Sequence, residues 1–129
     1  NQIPAARRGQ CASSQLSAAR ASTFSGTDSA PHPDRAKESA CGCAGCFTAP
    51  NWLPIVAQVF QDQGALDWLE SFVSLNGPAF YRMAPNEDRI RLARHDTPIT
   101  LPGRITAGDE TVTVFDPGFP LFWHVEDAA

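Results

Sequence analysis

The chain has 129 residues, a formal net charge of -4, and 43% hydrophobic and 19% charged residues. That is the size of one small domain, too apolar for a disordered chain and without the basic surface that nucleic acid or an anionic membrane demands. No apolar run approaches the roughly 18 residues of a membrane span, and no apolar stretch follows Arg7 and Arg8 to make a secretory signal.

Residues 1–22 are rich in Ala, Ser, Arg and Gln, with Leu16, Ala18 and Ala19 on one side of a weak helix. The first residue is Asn1 rather than Met, which suggests a processed, trimmed or partial chain. Thr23 to Asp28 reads as a short strand ending in the polar turn Thr27-Asp28-Ser29. Residues 29–50 hold Pro31, Pro33, Pro50, Gly42 and Gly45, a long loop of the kind that carries function. A first helix follows, with Ile55, Val56, Val59 and Phe60 on one face, Pro50 and Pro54 near its opening and Gly64 at its stop. A second is expected from about Leu66 to Leu75, stopped by Gly77-Pro78. Beyond residue 78 the period changes. Arg89 to Leu92 and Thr111 to Val114 alternate like half-exposed strands, and Phe122 to Val125 reads as a last strand. One strand, two helices and a tail of short strands do not close an architecture, because a lone strand leaves its backbone groups unpaired.

In Gly26-Thr27-Asp28-Ser29-Ala30-Pro31-His32 a carboxylate stands at a strand end and an imidazole follows in the loop. In barrel enzymes that edge collects catalytic groups. The same residues also fit a turn cap and an exposed histidine. Cys41, Cys43 and Cys46 crowd together and Cys11 is distant, so a zinc site and a set of free thiols are both open, although Cys-x-Cys suits one tetrahedral ion poorly. Unpaired thiols at this spacing point to a reducing compartment, hence the cytoplasm. Gly42 and Gly45 mark a backbone that passes close to something, a ligand included. His95 and His124 read as solvent-facing strand residues. Trp52, Trp68 and Trp123 read as packing residues, and Asp62, Asp67 and Glu70 as solvated faces.

The stretch GTDSAPHPDRAKESACGCAGCFTAP, from Gly26 to Pro50, resembles the dihydroorotases of the single-domain bacterial and fungal type. A second match is SFVSLNGPAFYRMAPNEDRIRL, from Ser71 to Leu92, and Val114-Phe115-Asp116-Pro117-Gly118 with Trp123 is similar to the family's ending. Residues 1–22 match poorly, apart from Ile3-Pro4 and Arg7-Arg8.

The resemblance implies an α/β fold: the C-terminal portion of a (β/α)8 TIM-type amidohydrolase barrel, incomplete on its own. Residues 23–50 would give the last strand and active-site loop, 51–77 the helices and 78–129 the β-rich tail. It implies the reversible hydrolysis of the cyclic amide of (S)-dihydroorotate to N-carbamoyl-L-aspartate in pyrimidine synthesis. Two zinc ions would serve each active site, most of their ligands lying outside this chain. Asp28 would be a metal ligand and the group that passes a proton from the metal-bridging hydroxide to the leaving ring nitrogen. His32 would bind the substrate carboxylate, and Ala44 would contact the ring through its backbone, as would Ile3 if the N-terminal match holds. The cysteines are not metal ligands in this family. The implied partners are the small-molecule substrate and, for the intact enzyme, a second copy in a homodimer, with no nucleic acid and no membrane. There is no His and no Lys before Asp28, so the family's other ligands are missing and the chain alone is expected to be inactive. The competing expectations are a small cysteine-loop zinc-binding or interaction module, and a non-functional remnant.

Overall fold

A computed structural model of the chain describes residues 23–40 and 42–126. Its elements are helices α1 (Asp34–Lys37), α2 (Trp52–Asp62) and α3 (Asn76–Tyr81), and strands β1 (Arg91–Arg94), β2 (Arg104–Ala107), β3 (Glu110–Thr113) and β4 (Trp123–Glu126). A 3-10 turn at Leu66–Trp68 and a π turn at Ser71–Leu75 precede α3. The described residues fall into two compact units: 23–25 with 59–89, and 26–58 with 90–126, the latter without Cys41. Helix α2 begins in the second unit and ends in the first.

The end of α2 follows from Gly64. Its φ of +63° is the left-handed conformation that only glycine adopts without penalty. There Gly64 N–H donates to Gln61 O at 2.9 Å and Ala65 N–H to Phe60 O at 2.8 Å, the paired closure of a Schellman motif. Farther on, the expected helix from Leu66 to Leu75 is helical but irregular, with a 3-10 turn and a π turn, and it passes into α3, which runs through Gly77-Pro78. The expected stop does not stop the helix: α3 continues the π turn without a break, with Asn76 N–H donating to Ser71 O, and runs on to Tyr81. In this unit Phe24 packs on Phe80 and Tyr81, with ring centroids 5.3 and 5.6 Å apart, and Phe60 packs on Phe72 at 5.3 Å. Ser25 N–H donates to Phe72 O at 3.0 Å, and the Asn76 side-chain amide donates to Thr23 O at 2.8 Å. Residues 23–28 carry no strand. A strand needs a neighbouring strand to take its amides, and in this segment Ser25 N–H goes to Phe72 O in the π turn instead.

The second unit holds two antiparallel pairs, β1 with β4 and β2 with β3. β1 begins two residues later than the alternation at Arg89 suggests, and β3 and β4 each begin one residue away from the expected start. β2 has no counterpart among the expected elements. The β2–β3 hairpin pairs Ala107 with Glu110 across Gly108-Asp109. Its positive φ of +61° falls on Gly108, the first turn position, as a type II′ turn requires.

The core of this unit is Ala57, Val114 and Leu121, which are buried together with the polar side chains of Asn51 and Gln58. Both amides serve the tail backbone: Asn51 Nδ2 donates to Phe115 O, and Gln58 Oε1 accepts from Phe122 N–H at 3.2 Å. The buried face of α2 is therefore Pro54, Ala57 and Gln58. The expected apolar face of Ile55, Val56, Val59 and Phe60 is half-buried, and Val59 is 44% exposed. Apolar periodicity located the helix but not the side on which the tail lies.

Candidate active-site loop

The loop from Gly26 to Pro50 is closed on itself by its own backbone. Ala30 N–H donates to Cys46 O at 2.9 Å, and Ser29 Oγ accepts from Thr48 N–H and Ala49 N–H at 3.1 and 2.9 Å. Gly45 sits at φ +112°, and a Cβ there would come within 2.6 Å of the Ala30 Cβ. A side chain at 45 is thus excluded twice, by backbone conformation and by space. The close approach inferred from the glycines is real, but Gly45 approaches Ala30 of the loop itself. Lys37 Nζ donates to Gly45 O at 2.6 Å, and Cys43 N–H to Ala36 O at 3.3 Å. These bonds tie the turn that carries Ala44 to the segment that carries Asp28 and His32.

Asp28, His32 and Ala44 are all exposed. Asp28 stands at φ +42°, a left-handed conformation rare for any residue but glycine, and one that Asp tolerates better than most. His32 N–H donates to Ala30 O at 2.9 Å, which turns the chain just after the carboxylate. Cys43 and Cys46 are free thiols and exposed, and what they give the loop is backbone. Cys11, Cys41, Ile3 and the weak helix near Leu16 lie outside the described residues. Among the described residues no group of three or more His, Cys, Asp or Glu is placed to hold a metal ion. A single carboxylate at Asp28 does not hold a zinc pair, so the described residues do not by themselves fit that cofactor.

The loop is also fastened to the tail, and nothing in the sequence announces it. Asp34 opens the four-residue helix α1, and its carboxylate accepts from Thr113 N–H at 2.8 Å and Thr113 Oγ1–H at 2.9 Å. Arg104 Nε stands 3.7 Å from the same carboxylate. The backbone bond from Thr113 is the largest influence on Asp34. With the Thr113 hydroxyl, Arg104 and Lys37 it lowers the carboxyl's pKa from its ordinary 3.8, while partial burial pulls the other way. Arg35 pairs with Glu110 on the same hairpin. Phe47 bridges Val114 in a parallel pairing, and Phe115 N–H donates to Phe47 O at 2.9 Å. A cleft of about 380 Å³ lies in this region, lined in part by Asp34, Lys37, Cys46 and Arg104.

Elsewhere, the three tryptophans are half-buried, as packing residues are, and Asp62, Asp67 and Glu70 are exposed. Glu70 pairs with Arg89. His95 and His124 adjoin each other on the β1–β4 ribbon.

No protein-family model matches the chain. Curated relatives do. A dihydroorotase of Cereibacter sphaeroides is 69% identical over 103 residues, 80% of this chain and 30% of its own length. A dihydroorotase of Chelativorans sp. is 61% identical over 104 residues, again 30% of its length. One from Allorhizobium ampelinum is 48% identical over 98% of this chain and 37% of its own, a match that takes in most of residues 1–22. Among solved structures, the dihydroorotase of Saccharomyces cerevisiae in complex with 5-fluoroorotic acid aligns at a TM-score of 0.69 and 37% identity, over 80% of this chain and 29% of that one. The Campylobacter jejuni dihydroorotase aligns at 0.64 and 28% identity over the same shares.

Helices and small sheets in this order form a partial α/β piece of an amidohydrolase barrel. Over the span it matches, the chain is homologous to part of the dihydroorotases. It spans about 30% of the length of the curated relatives named first. No described helix is long and apolar enough to cross a membrane.

Proposed function

We propose that this chain is the portion of a cytoplasmic dihydroorotase that carries the proton-transferring carboxylate and part of the substrate pocket. The substrate is (S)-dihydroorotate, opened reversibly to N-carbamoyl-L-aspartate. The observation that supports this best is the closure of the Gly26–Pro50 loop, in which Ala30 bonds Cys46 and Gly45 packs against Ala30, so that the Ala44 turn is held to the Asp28–His32 segment. The solved yeast relative holds 5-fluoroorotic acid, a six-membered ring bearing a carboxylate, and a pocket for such a ligand needs both an anion contact and a ring contact.

The roles are those the resemblance implies, and they fit the chemistry. Hydrolysis of a cyclic amide adds a water oxygen to the ring carbonyl carbon, breaks the ring C–N bond and delivers a proton to the departing nitrogen. Asp28 accepts the proton that the attacking water loses and returns it to that nitrogen, so the carboxylate ends as it began. His32 donates a hydrogen bond to the substrate carboxylate. Ala44 meets the ring through its backbone, positioned by the flanking Gly45. The two zinc ions of the intact enzyme would draw one ligand, Asp28, from this chain and the rest from polypeptide outside it. A homodimer completes this reading of the intact enzyme.

A chimera tests it. Residues 23–126 of this chain replace the matching segment of the Cereibacter sphaeroides enzyme, and ring opening of dihydroorotate is followed by absorbance. The chimera is expected to turn over, Asp28→Ala to lower kcat by about 100-fold or more, and Cys43→Ser to have little effect. An active Asp28→Ala chimera overturns the assignment, and so does ring opening by the purified 129-residue chain alone. Tight zinc in that isolated chain, lost on Cys43→Ser, would establish the cysteine-loop module instead.

A further inference from the structure

The β1–β4 ribbon brings together two imidazoles that the loop chemistry does not use. In its antiparallel register Ala93 faces His124 and Arg94 faces Trp123. The next residue, His95, donates its backbone N–H to Phe122 O at 2.7 Å and so continues the register. Opposed residues share a face and side chains alternate along a strand, so His95 and His124 are diagonal neighbours on one face. Ala93, directly opposite His124, puts only a methyl group between them. The ring centroids are 4.1 Å apart with the planes at 61°, and the two Nε2 atoms are 3.3 Å apart. His95 is exposed and His124 half-buried.

The neighbours decide where the protons sit. His124 Nδ1 lies 3.1 Å from the carbonyl oxygen of Ala93. A carbonyl only accepts, so Nδ1 carries the hydrogen and, in the neutral ring, Nε2 turns its lone pair towards His95. This is how metal-binding histidines are oriented: the far N–H is tied to a carbonyl and the near nitrogen is open. Two nitrogens on one tetrahedral zinc, each about 2.0–2.1 Å from the ion, stand about 3.3–3.4 Å apart, and about 2.9 Å apart at a right angle. The observed 3.3 Å lies within that range.

We propose that His95 and His124 form a two-imidazole chelate for a borderline divalent transition ion, with water in the remaining positions. Imidazole donors select Ni2+, Cu2+ and Zn2+ over Mg2+ and Ca2+. No third described side chain of the metal-binding types joins the pair, so the site is open and weaker than a structural zinc site. Binding requires His95 to shift its proton to Nδ1 and the two rings to splay until both lone pairs meet. Nothing in this proposal depends on the dihydroorotase reading, and its test involves no turnover.

The test is titration of the untagged 129-residue chain with Ni2+ by calorimetry, together with a proton NMR spectrum of the complex. One ion per chain is expected, with two hyperfine-shifted imidazole N–H resonances and no displacement by excess Mg2+. His95→Gln and His124→Gln are each expected to weaken binding about tenfold or more, with circular dichroism unchanged. Cys43→Ser and Cys46→Ser are expected to leave it as it was. The resonance count is made on the unsubstituted chain, so it decides the matter even where a variant misfolds. Absence of binding, a single shifted imidazole, or affinity that survives either histidine substitution overturns the proposal.

Discussion

The loop-and-tail unit and the aromatic unit are held together by different means. In the first, residues far apart in sequence are joined by directional bonds: Asp34 to Thr113, Arg35 to Glu110, Asn51 to Phe115, Gln58 to Phe122. In the second, the contacts are mostly aromatic rings, and two of those rings remain largely in water: Phe80 and Tyr81 are 66% and 63% exposed. Hydrophobic stabilisation scales with area removed from water, so the same apolar residues contribute far less here than they would if covered. Polar fastening keeps a loop in one geometry even when little apolar area is buried. Aromatic packing of this openness does not define one arrangement as sharply.

The largest expected effect strikes the small core that the polar bonds surround. Leu121 is 4% exposed and, like Ala57 and Val114, buried, and Leu121→Ala is expected to cost about 2–5 kcal/mol in urea unfolding. A unit of this size does not absorb that loss, so amide-exchange protection at Val114 and Phe122 should vanish while the bonds around Ser25 and Asn76 persist. Equal loss in both units would erase the distinction drawn between them.

An intermediate and more local effect is expected from acid. The pKa of Asp34 is depressed, so its contribution is complete above the ordinary 3.8 and disappears as pH falls through the lower value it has in the folded chain. The Thr113 amide shift should therefore titrate with a midpoint below 3.8. Asp34→Asn should abolish that titration and loosen the hairpin from α1. A midpoint at or above the ordinary value would mean that the clamp does not form in solution.

Much of the candidate site can be read in the sequence, and the reasons for what cannot be read are physical. The Asp28–His32 segment and the Ala44 turn are singled out by a contiguous motif that resembles the dihydroorotases, whereas their spacing alone fits a turn cap and an exposed histidine equally well. Gly64 is legible because a left-handed helix end is a local demand. Asp34, Asn51 and Gln58 are not, since their partners lie 79, 64 and 64 residues away and any polar side chain looks solvated until the fold brings its partner. Strand β2 is hidden for a similar reason. Arg104, Ile105, Thr106 and Ala107 are all exposed, so no buried face imposes an alternation to detect. Gly77-Pro78 misleads because such a pair usually ends a helix, and here the π turn carries the helical chain through it into α3.

The smallest expected effect is the one that most directly probes the aromatic unit. Helix α3 ends on Arg82 at φ +57°, where Arg82 N–H donates to Ala79 O at 3.3 Å and Met83 N–H to Pro78 O at 2.9 Å. For a residue with a Cβ the left-handed conformation costs roughly 1–2 kcal/mol, a penalty glycine escapes. Glycine also loses more freedom on folding, by roughly 0.5–1 kcal/mol. The difference leaves Arg82→Gly stabilising by about 0.5–1 kcal/mol, read as a rise in the thermal midpoint of this unit alone. Arg82 is exposed, so no packing is lost to obscure the result. If α3 did not close in this way, the glycine would only loosen the chain, and the midpoint would fall. The sign of a small shift thus reports whether the open aromatic unit holds its helix end in solution.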